Sequence, residues 1–281
     1  MRRRRSRSGR QHAHPLAYPG LAVLAAFAVF PLVVLGFNSA KSSSELGSNP
    51  LGPPSDPSFG NLGDAWAAGA FATTLLNSAL LAAATGLGVT VIASLTAYAL
   101  TRMQTRGSKG LLFYILVCTA VPAQLFIVPL FFLWTDLALT NTLFGLIVIY
   151  WAVFSPFATL LLRSYLLTIP RDFDEAGRIE GASERQILTR IILPLARPGL
   201  LVVALTTALF AWNEFFFAFT FIQDEGLKPA STSFLAFRSE FATNWGLTSA
   251  GGLIMIAPPL LLFLVLQRRF IDGLTTGGLK A

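Results

Sequence analysis

Long apolar runs alternate with polar segments along this chain of 281 residues. A helix needs about 20 apolar residues to cross the hydrocarbon core of a membrane, and the runs approach or exceed that length. The segments between them are rich in Ser, Gly, Pro, Asn and Asp, which favour loops. The pattern predicts an all-α membrane protein, with a polar tail at 1–15 and a single transmembrane domain at 16–281. The six predicted transmembrane helices cover about 16–37, 71–100, 110–135, 141–162, 199–222 and 250–266.

The polar stretch at 172–198 carries a helical pattern of its own. Asp172 and Glu175 have the spacing of an N-cap and its N3 partner, and Gly181 stands where a short helix would end in a left-handed residue. Ser183 and Gln186 repeat the capping spacing. The stretch therefore predicts a helix, a glycine turn and a second helix.

The second of these helices is predicted to be amphipathic. Glu184, Arg185 and Arg190 are its charged positions. Pro194 and Pro198 are expected to close it. Its expected apolar face consists of Ile187, Leu188, Ile191, Ile192 and Leu195.

Composition excludes an ordinary soluble domain, because 54% of the residues are hydrophobic and only 12% are charged. The net charge of +7 is explained by topology, since 18 of the 21 Lys and Arg residues lie in the tail, the 102–109 turn, the 163–197 loop and the segment after 267. Basic residues accumulate in cytoplasmic segments. The distribution predicts that both termini and the 172–198 stretch are cytoplasmic, and it gives no support to nucleic-acid binding.

Signatures of catalysis are missing from the sequence. It contains no G-x-x-x-x-G-K-[ST] phosphate loop, no G-x-S-x-G nucleophile elbow and no H-E-x-x-H zinc motif. Its one cysteine, Cys118, lies within an apolar run, and His12 and His14 are isolated in the basic tail. We therefore expect no catalytic residue, no metal site and no cofactor, and any step driven by ATP would need another chain to bind the nucleotide.

One ionisable residue, Glu214, falls inside a predicted span, next to Trp212 and Asn213. A carboxylate at the centre of a membrane costs about 2.5–3.5 kcal/mol on insertion scales, so it should face a partner helix or water. Three interpretations remain open at this point. Asn213 or Glu214 makes a structural interhelical hydrogen bond, or the three residues line a solute path, or Glu214 relays protons.

Two further patterns concern the shape of the helices. Prolines within the predicted spans are expected to bend them, because proline removes a backbone hydrogen bond; they are Pro122, Pro129, Pro156, Pro258 and Pro259. The spacing of Phe234, Phe237 and Phe241, ahead of Trp245, predicts a short amphipathic helix or an interfacial aromatic belt.

The 172–198 stretch resembles the EAA loop of the inner-membrane permease subunits of binding-protein-dependent ABC importers. The resemblance lies in Glu175-Ala176-Gly177, Gly181-Ala182 and Leu193-Pro194-Leu195. Two positions depart from the family pattern: Gly177 replaces an alanine, at a cost of about 1 kcal/mol in helix propensity, and Glu180 replaces the usual aspartate.

Other short motifs resemble the carbohydrate-type permeases, and in particular the smaller permease subunit of maltose-type importers. They are Asn77-Ser78, Ala97-Tyr98-Ala99-Leu100, Val121-Pro122-Ala123-Gln124, Pro129-Leu130, Leu139-Thr140-Asn141-Thr142, Gln267-Arg268-Arg269-Phe270, Gly273-Leu274-Thr275 and Gly277-Gly278-Leu279-Lys280.

The resemblance implies a non-catalytic subunit in the plasma membrane of a prokaryote. It would form half of a path for a sugar or related polyol, beside membrane lipid. Its implied partners are a cytoplasmic ATPase dimer, a second related permease and an extracytoplasmic solute-binding protein. Glu175 would contact the ATPase, Ala176 would pack in its cleft and Gly181 would make the turn. The alternative is a secondary carrier or channel that is complete in one chain, although such a carrier favours intramembrane charges and an internal repeat.

Overall fold

The computed structural model describes residues 17–103, 106–240 and 244–278, so the predicted basic tail at 1–15 lies outside the described residues. Helices account for most of the described residues. They are α1 Ala17–Ser39, α2 Ser43–Ser48, α3 Gly60–Ala68, α4 Phe71–Thr101, α5 Ser108–Ala120, α6 Ile127–Asp136, α7 Leu143–Leu166, α8 Asp172–Ile179, α9 Glu184–Leu195, α10 Arg197–Asn213, α11 Phe216–Phe221, α12 Ala230–Glu240 and α13 Trp245–Gly278.

Four of these helices, α1, α4, α7 and α13, are long and apolar enough to cross a membrane. Two more candidates are pairs of helices joined at a sharp bend, α5 with the Ala123–Asp136 segment and α9 with α10. Counting each pair as one span gives six, which is the predicted number, although the predicted fifth span contains α10 and not α9. The prediction of an all-α membrane protein is thereby confirmed.

Helix α4 lies at the centre of the fold, where it packs against α7 and α10. At its C-terminal half, Val89, Ala93 and Ala97 are buried in a core shared with α7, α9 and α10. At its N-terminal half, Leu81 is buried with residues of α7 and α11. Small side chains along α4 allow this close packing, because helices in a membrane associate through such interfaces.

Two predicted spans are not continuous helices. The predicted span at 110–135 bends by 90° between α5 and the Ala123–Asp136 segment, where Pro122 has extended backbone. The predicted span at 199–222 is interrupted at Glu214 and Phe215, between α10 and α11. By contrast, Pro156, Pro258 and Pro259 lie inside unbroken helices.

The polar segments also contain helices that the loop-like composition did not predict. The segment at 39–70 contains α2 and α3. Its Lys41 is buried, and the ammonium group donates to Asn38 Oδ1 at 3.1 Å and to the carbonyl of Asn49 at 2.6 Å.

Helix α12 contains Phe234 and Phe237 of the predicted short helix, whereas Phe241 lies outside the described residues. Helix α13 begins at Trp245 and is longer than the predicted span at both ends.

Candidate functional site

The 172–198 loop folds as two helices around a glycine turn. Helix α8 ends in a Schellman motif, in which the amide of Ala182 donates to the carbonyl of Gly177 and the amide of Gly181 donates to the carbonyl of Arg178, both at 3.0 Å. Gly181 has φ +79° and open space around it. The constraint at this position therefore comes from the left-handed backbone, as the sequence predicted.

The capping predictions have different outcomes for the two helices. Ser183 and Gln186 form the predicted capping box, with the Ser183 amide donating to Gln186 Oε1 at 2.8 Å. The prediction for α8 is wrong, because Arg171 is the N-cap residue and makes no side-chain cap, while Asp172 is already the first helical residue. The acidic first turn of α8 still favours its start, since carboxylates stabilise the positive end of the helix dipole.

Gly177 allows α8 and α9 to approach each other closely. A Cβ atom at this position would lie 3.0 Å from Ile191 Cδ1 and 3.3 Å from Ile187 Cγ1. An alanine would thus require these isoleucines to shift by a few tenths of an ångström. The departure from the family pattern at Gly177 is compensated by close packing, which the helix-propensity estimate did not include.

Helix α9 buries most of the predicted apolar face, on which Ile191 is half-buried. Ile187, Leu188 and Ile192 are buried against α4 and α7, but Leu195 is 42% exposed, which corrects its predicted place on that face.

Neither Pro194 nor Pro198 closes α9 as predicted. Pro194 lies within its last turn, after a π-helical stretch at Ile187–Ile192, and Pro198 lies in the first turn of α10. Leu193 is half-buried, and Pro194 is exposed.

The outward side of α8 presents an apolar surface bordered by carboxylates. Phe173 is 46% exposed and Ile179 is 87% exposed, with exposed Ala176 between them. Glu175 and Glu180 are exposed beside them, and Gly181 is exposed at the turn. Phe173 and Ile179 were not singled out in the sequence, although they lie three residues on either side of Ala176 and share its face. Within the described chain, Ile179 is among the most exposed large apolar side chains.

A buried ion pair joins α8 to the C-terminal end of α4. Arg102 Nη1 lies 3.3 Å from Asp174 Oδ2, and both side chains are at most 3% exposed. Arg102 Nη2 also donates to the carbonyls of Leu166 and Ile169, at 2.8 and 2.7 Å, at the end of α7. Burial raises the pKa of Asp174 above its ordinary value, while the positive charge of Arg102 opposes that rise.

A second polar contact joins α9 to the same end of α4. Tyr98 donates its hydroxyl proton to Glu184 Oε2 at 2.5 Å, and Arg178 Nε donates to Glu184 Oε1 at 2.8 Å. The hydrogen bond from Arg178, followed by that from Tyr98, lowers the pKa of the Glu184 carboxyl. The sequence pattern did not reveal the Tyr98–Glu184 contact or the Arg102–Asp174 pair, because the partners are far apart in the chain. The one available signal was the position of Arg102 directly after a span.

Glu214 stabilises the break between α10 and α11. Its Oε1 accepts from the Phe217 amide at 2.9 Å, and its Oε2 accepts from the Ala218 amide at 3.0 Å. Tyr150 of α7 donates to the same Oε2 at 2.9 Å. Of the three interpretations left open, the interhelical hydrogen bond is the one that this geometry describes.

The neighbours of Glu214 are placed differently from one another. Trp212 is buried, whereas the Asn213 side chain is exposed and donates to the carbonyl of Leu209 at 2.8 Å. The amide oxygen and one amide proton of Asn213 are therefore the polar groups of this trio most available to a solute.

Motif residues at the opposite end of α4 bind the segment between α11 and α12. Asn77 Nδ2 donates to the carbonyls of Gly226 and Lys228, and Ser78 Oγ accepts from the Ala230 amide. Asn141, at φ +58°, accepts from the amides of residues 223 and 224 with its Oδ1. The sequence motifs at these positions therefore fix a segment of the backbone.

A cavity of about 690 Å³ lies between α4, α5, α6 and α7. Its lining is mostly apolar, with Thr96, Ser155 and Thr159 among the few polar side chains. A sugar hydroxyl buried there without a partner would lose its hydrogen bonds to water at considerable cost. The cavity is therefore a poor candidate for a sugar site. In the described ranges, no cluster of three or more His, Cys, Asp or Glu side chains could hold a metal ion.

Comparison with known proteins identifies the family. Residues 89–275 match the family described as the binding-protein-dependent transport system inner membrane component. A probable ABC transporter permease protein of Bacillus subtilis strain 168 is 33% identical over 254 residues, which cover 89% of this chain and 83% of that protein. The melibiose/raffinose/stachyose import permease protein of the same organism is 30% identical over 262 residues, which cover 92% of this chain and 95% of that protein.

Solved structures agree with the sequence relatives. A chain in the crystal structure of a bacterial ABC transporter involved in the import of the acidic polysaccharide alginate has a TM-score of 0.77 and 25% identity. The match covers 91% of this chain and 95% of that one. These observations and the helical membrane fold lead to one conclusion: the chain belongs to the family of inner-membrane permease components of binding-protein-dependent transport systems.

Proposed function

We propose that this chain is a permease subunit of an ATP-driven importer, in which it forms half of the path for a sugar or related polyol. The observation that carries the proposal is the 172–198 loop, whose inner side is fixed to the membrane helices while its outer side is exposed. A loop built in this way suits docking to another protein. The sugar assignment is supported by the name of the related melibiose/raffinose/stachyose permease.

The proposed partners are a cytoplasmic ATPase dimer, a second related permease and an extracytoplasmic solute-binding protein. Glu175 contacts a basic group on the ATPase, Ala176 packs in its cleft and Gly181 makes the turn between the two helices. Phe173 and Ile179 extend the docking surface, because their apolar side chains are exposed beside Ala176. Interfaces of this kind have an apolar centre and a polar rim, which Glu175 and Glu180 supply here.

The orientation and the solute path are part of the proposal. Both termini and the 172–198 loop lie in the cytoplasm, as the distribution of Lys and Arg favours.

On the proposed solute path, Asn213 offers its exposed amide to the solute. Glu214 holds the helix break open beside it, and Trp212 supports the site from the core. A variant with Asn213→Leu should lose transport rate or change solute preference, whereas Thr220→Val on the neighbouring α11 serves as the control.

Copurification tests the central proposal. A tagged form, purified in mild detergent from its native cells, should bring with it an ATPase and a second permease that mass spectrometry identifies. The double variant Glu175→Lys, Ile179→Asp should remain in the membrane but lose the ATPase, because it reverses a rim charge and introduces a charge into the apolar centre. Thr189→Ala, an exposed change on α9, is the matched control.

The alternative function predicts a different result. If the wild-type chain is recovered alone or as a homo-oligomer and transports solute in vesicles that lack ATP, it is a secondary carrier and the proposal fails.

A further inference from the structure

The end of α4 and the 172–198 loop are connected by more than apolar packing. Arg102, the residue that terminates α4, reaches three groups at once: the Asp174 carboxylate on α8 and the carbonyls of Leu166 and Ile169 at the end of α7. Arg171 Nη2 donates to the carbonyl of Thr101 at 3.3 Å. The ends of α4 and α7 and the start of α8 therefore meet at the buried guanidinium group of Arg102.

The second helix of the loop is fixed to α4 independently. Tyr98 lies one helical turn before Arg102 and binds Glu184, the first residue of α9. Glu184 in turn binds Arg178 at the end of α8. Both helices of the loop thus have a polar contact with the last turn of α4, and Gly177 keeps the two helices in close contact with each other.

The buried Arg102–Asp174 pair is poorly explained as a source of stability alone. Removing two charges from water is expensive, and apolar replacements of buried ion pairs are often neutral or stabilising. Here the pair is also incompletely satisfied, because Asp174 Oδ1 and Arg102 Nε have no hydrogen-bond partner among the described residues. A charged contact of fixed geometry does, however, hold two elements in one particular arrangement.

We infer that Arg102 and Asp174 are positioning residues that latch the 172–198 loop to the C-terminal end of α4 throughout the ATP cycle. Loop and helix then move as one body, so that a displacement of the loop by the ATPase reaches α4 without slippage. The inference rests on the proposed function, because it assumes that an ATPase moves the loop. It assigns a role to residues that the loop motif does not contain.

Spin labels can follow the distance between the loop and α4. We would place them at Leu95→Cys, which is exposed on α4, and at Arg185→Cys, which is exposed on α9, in a Cys118→Ser background. Electron–electron double resonance on the complete importer in nanodiscs then gives the distance in the nucleotide-free state and after trapping with MgATP and vanadate. In the otherwise unchanged protein, the distance should be the same in both states.

Breaking the latch should allow the loop to slip. With Asp174→Asn, trapping should shift the distance by about 2 Å or broaden its distribution, a displacement typical of helix shifts in switching proteins. Asp172→Asn, on the same turn but exposed, should behave as the unchanged protein does. If Asp174→Asn does not assemble, Arg102→Lys replaces it, because lysine keeps the charge but cannot reach all three acceptors at once.

The outcomes separate the two proposals. If the unchanged protein traps no ATPase, the proposed function fails and the inference fails with it. If the ATPase is trapped but the distance already changes without any substitution at the latch, the inference alone is wrong. It is equally wrong if the variant that assembles, Asp174→Asn or its replacement Arg102→Lys, keeps a constant distance.

Discussion

The two ends of α4 are attached to their neighbours by different chemistry. At the C-terminal end, the charged groups of Arg102 and Asp174 form a buried pair. At the N-terminal end, the neutral side chains of Asn77 and Ser78 bind the backbone between α11 and α12. Asn77 and Arg102 lie 25 residues apart on α4, so these attachments are separated by about 37 Å at about 1.5 Å per residue.

This difference shows that the attachment of the C-terminal end of α4 depends on charge, whereas that of the N-terminal end depends on neutral hydrogen bonds. A neutral side chain satisfies backbone groups without a buried charge, so its loss leaves only neutral groups without a partner, at a cost of about 1–3 kcal/mol. A buried ion pair is different, because removing one member leaves the other charge without compensation. We therefore expect the C-terminal end of α4 to be more sensitive to single substitutions and to pH than the N-terminal end.

The largest effect is expected from Arg102→Gln. The substitution leaves the Asp174 carboxylate buried without a cation and deprives two carbonyls of their donor, so the free energy of unfolding should fall by about 3–5 kcal/mol. Thermal unfolding in detergent measures the loss. Arg106→Gln, which changes an exposed arginine in the next turn of the chain, should leave the melting temperature nearly unchanged. Equal effects at both positions would contradict the role assigned to the buried pair.

A smaller loss is expected at the other end of the helix from Ser78→Ala. Its hydroxyl is the acceptor for the buried amide of Ala230, and an unsatisfied buried amide costs about 1–3 kcal/mol. Ser94→Ala is the control on the same helix, because that hydroxyl only donates to the carbonyl of Thr90 within the helix. A loss at Ser94 as large as that at Ser78 would show that the contact to Ala230 has no special value.

The pH dependence should distinguish the two ends further. Burial raises the pKa of Asp174, so its contribution to stability is present below the unfolded pKa and is lost as pH rises through the folded value. Removing Arg102 takes away a cation that lowers this pKa, which should therefore rise further. Measured from about pH 8 down to about pH 5.5, the deficit of Arg102→Gln relative to the unchanged protein should shrink as the pH falls.

Two other groups provide the reference for this measurement. The pKa of Glu184 is lowered by Arg178, so the stability that it contributes is present above its unfolded pKa, near 4.3, and is lost only as pH falls through the folded value. It should remain ionised over the whole range. The deficit of Ser78→Ala, which removes no charge, should stay constant with pH. A deficit of Arg102→Gln that is also constant would argue against a buried ionised Asp174.

The smallest effect is expected from Gly177→Ala. Alanine gains about 1 kcal/mol in helix propensity, but its Cβ would press on Ile191 and Ile187, so the net change should stay within about 1 kcal/mol of zero. The double variant Gly177→Ala, Ile191→Val removes the nearest methyl group and should recover part of the propensity gain. Its melting temperature, compared with that of Ile191→Val alone, measures this coupling.

Local patterns predicted much of the loop and of the spans. Gly181 and the Ser183 capping box were correct, because both depend on residues close together in the chain. The predicted α8 cap was wrong because the helix begins one residue earlier than the spacing indicated, so that Asp172 lies inside its first turn and no side chain caps it. In the folded protein Asp174 binds Arg102, a partner 72 positions earlier that no local pattern reveals.

The sequence carried unequal information about the two broken spans. Hydropathy is the same whether an apolar run is straight or bent, so only the expected bend at Pro122 indicated the 90° bend before Ala123. The break at Glu214 is stabilised by amides of α11 and by Tyr150, which only the fold brings to the carboxylate. Proline was an uncertain guide, since Pro122 accompanies a bend while Pro156 does not interrupt its helix.

The exposed apolar side of α8 has a consequence for the life of the protein in the cell. Ile179 and Phe173 lie outside the apolar spans, in a polar segment where water is the ordinary surrounding of a side chain. An orphan subunit would present these side chains to chaperones and proteases, which remove proteins that expose such surfaces. The steady-state abundance of the subunit should therefore follow the supply of its docking partner, so that surplus copies are degraded and the subunits accumulate in matched numbers.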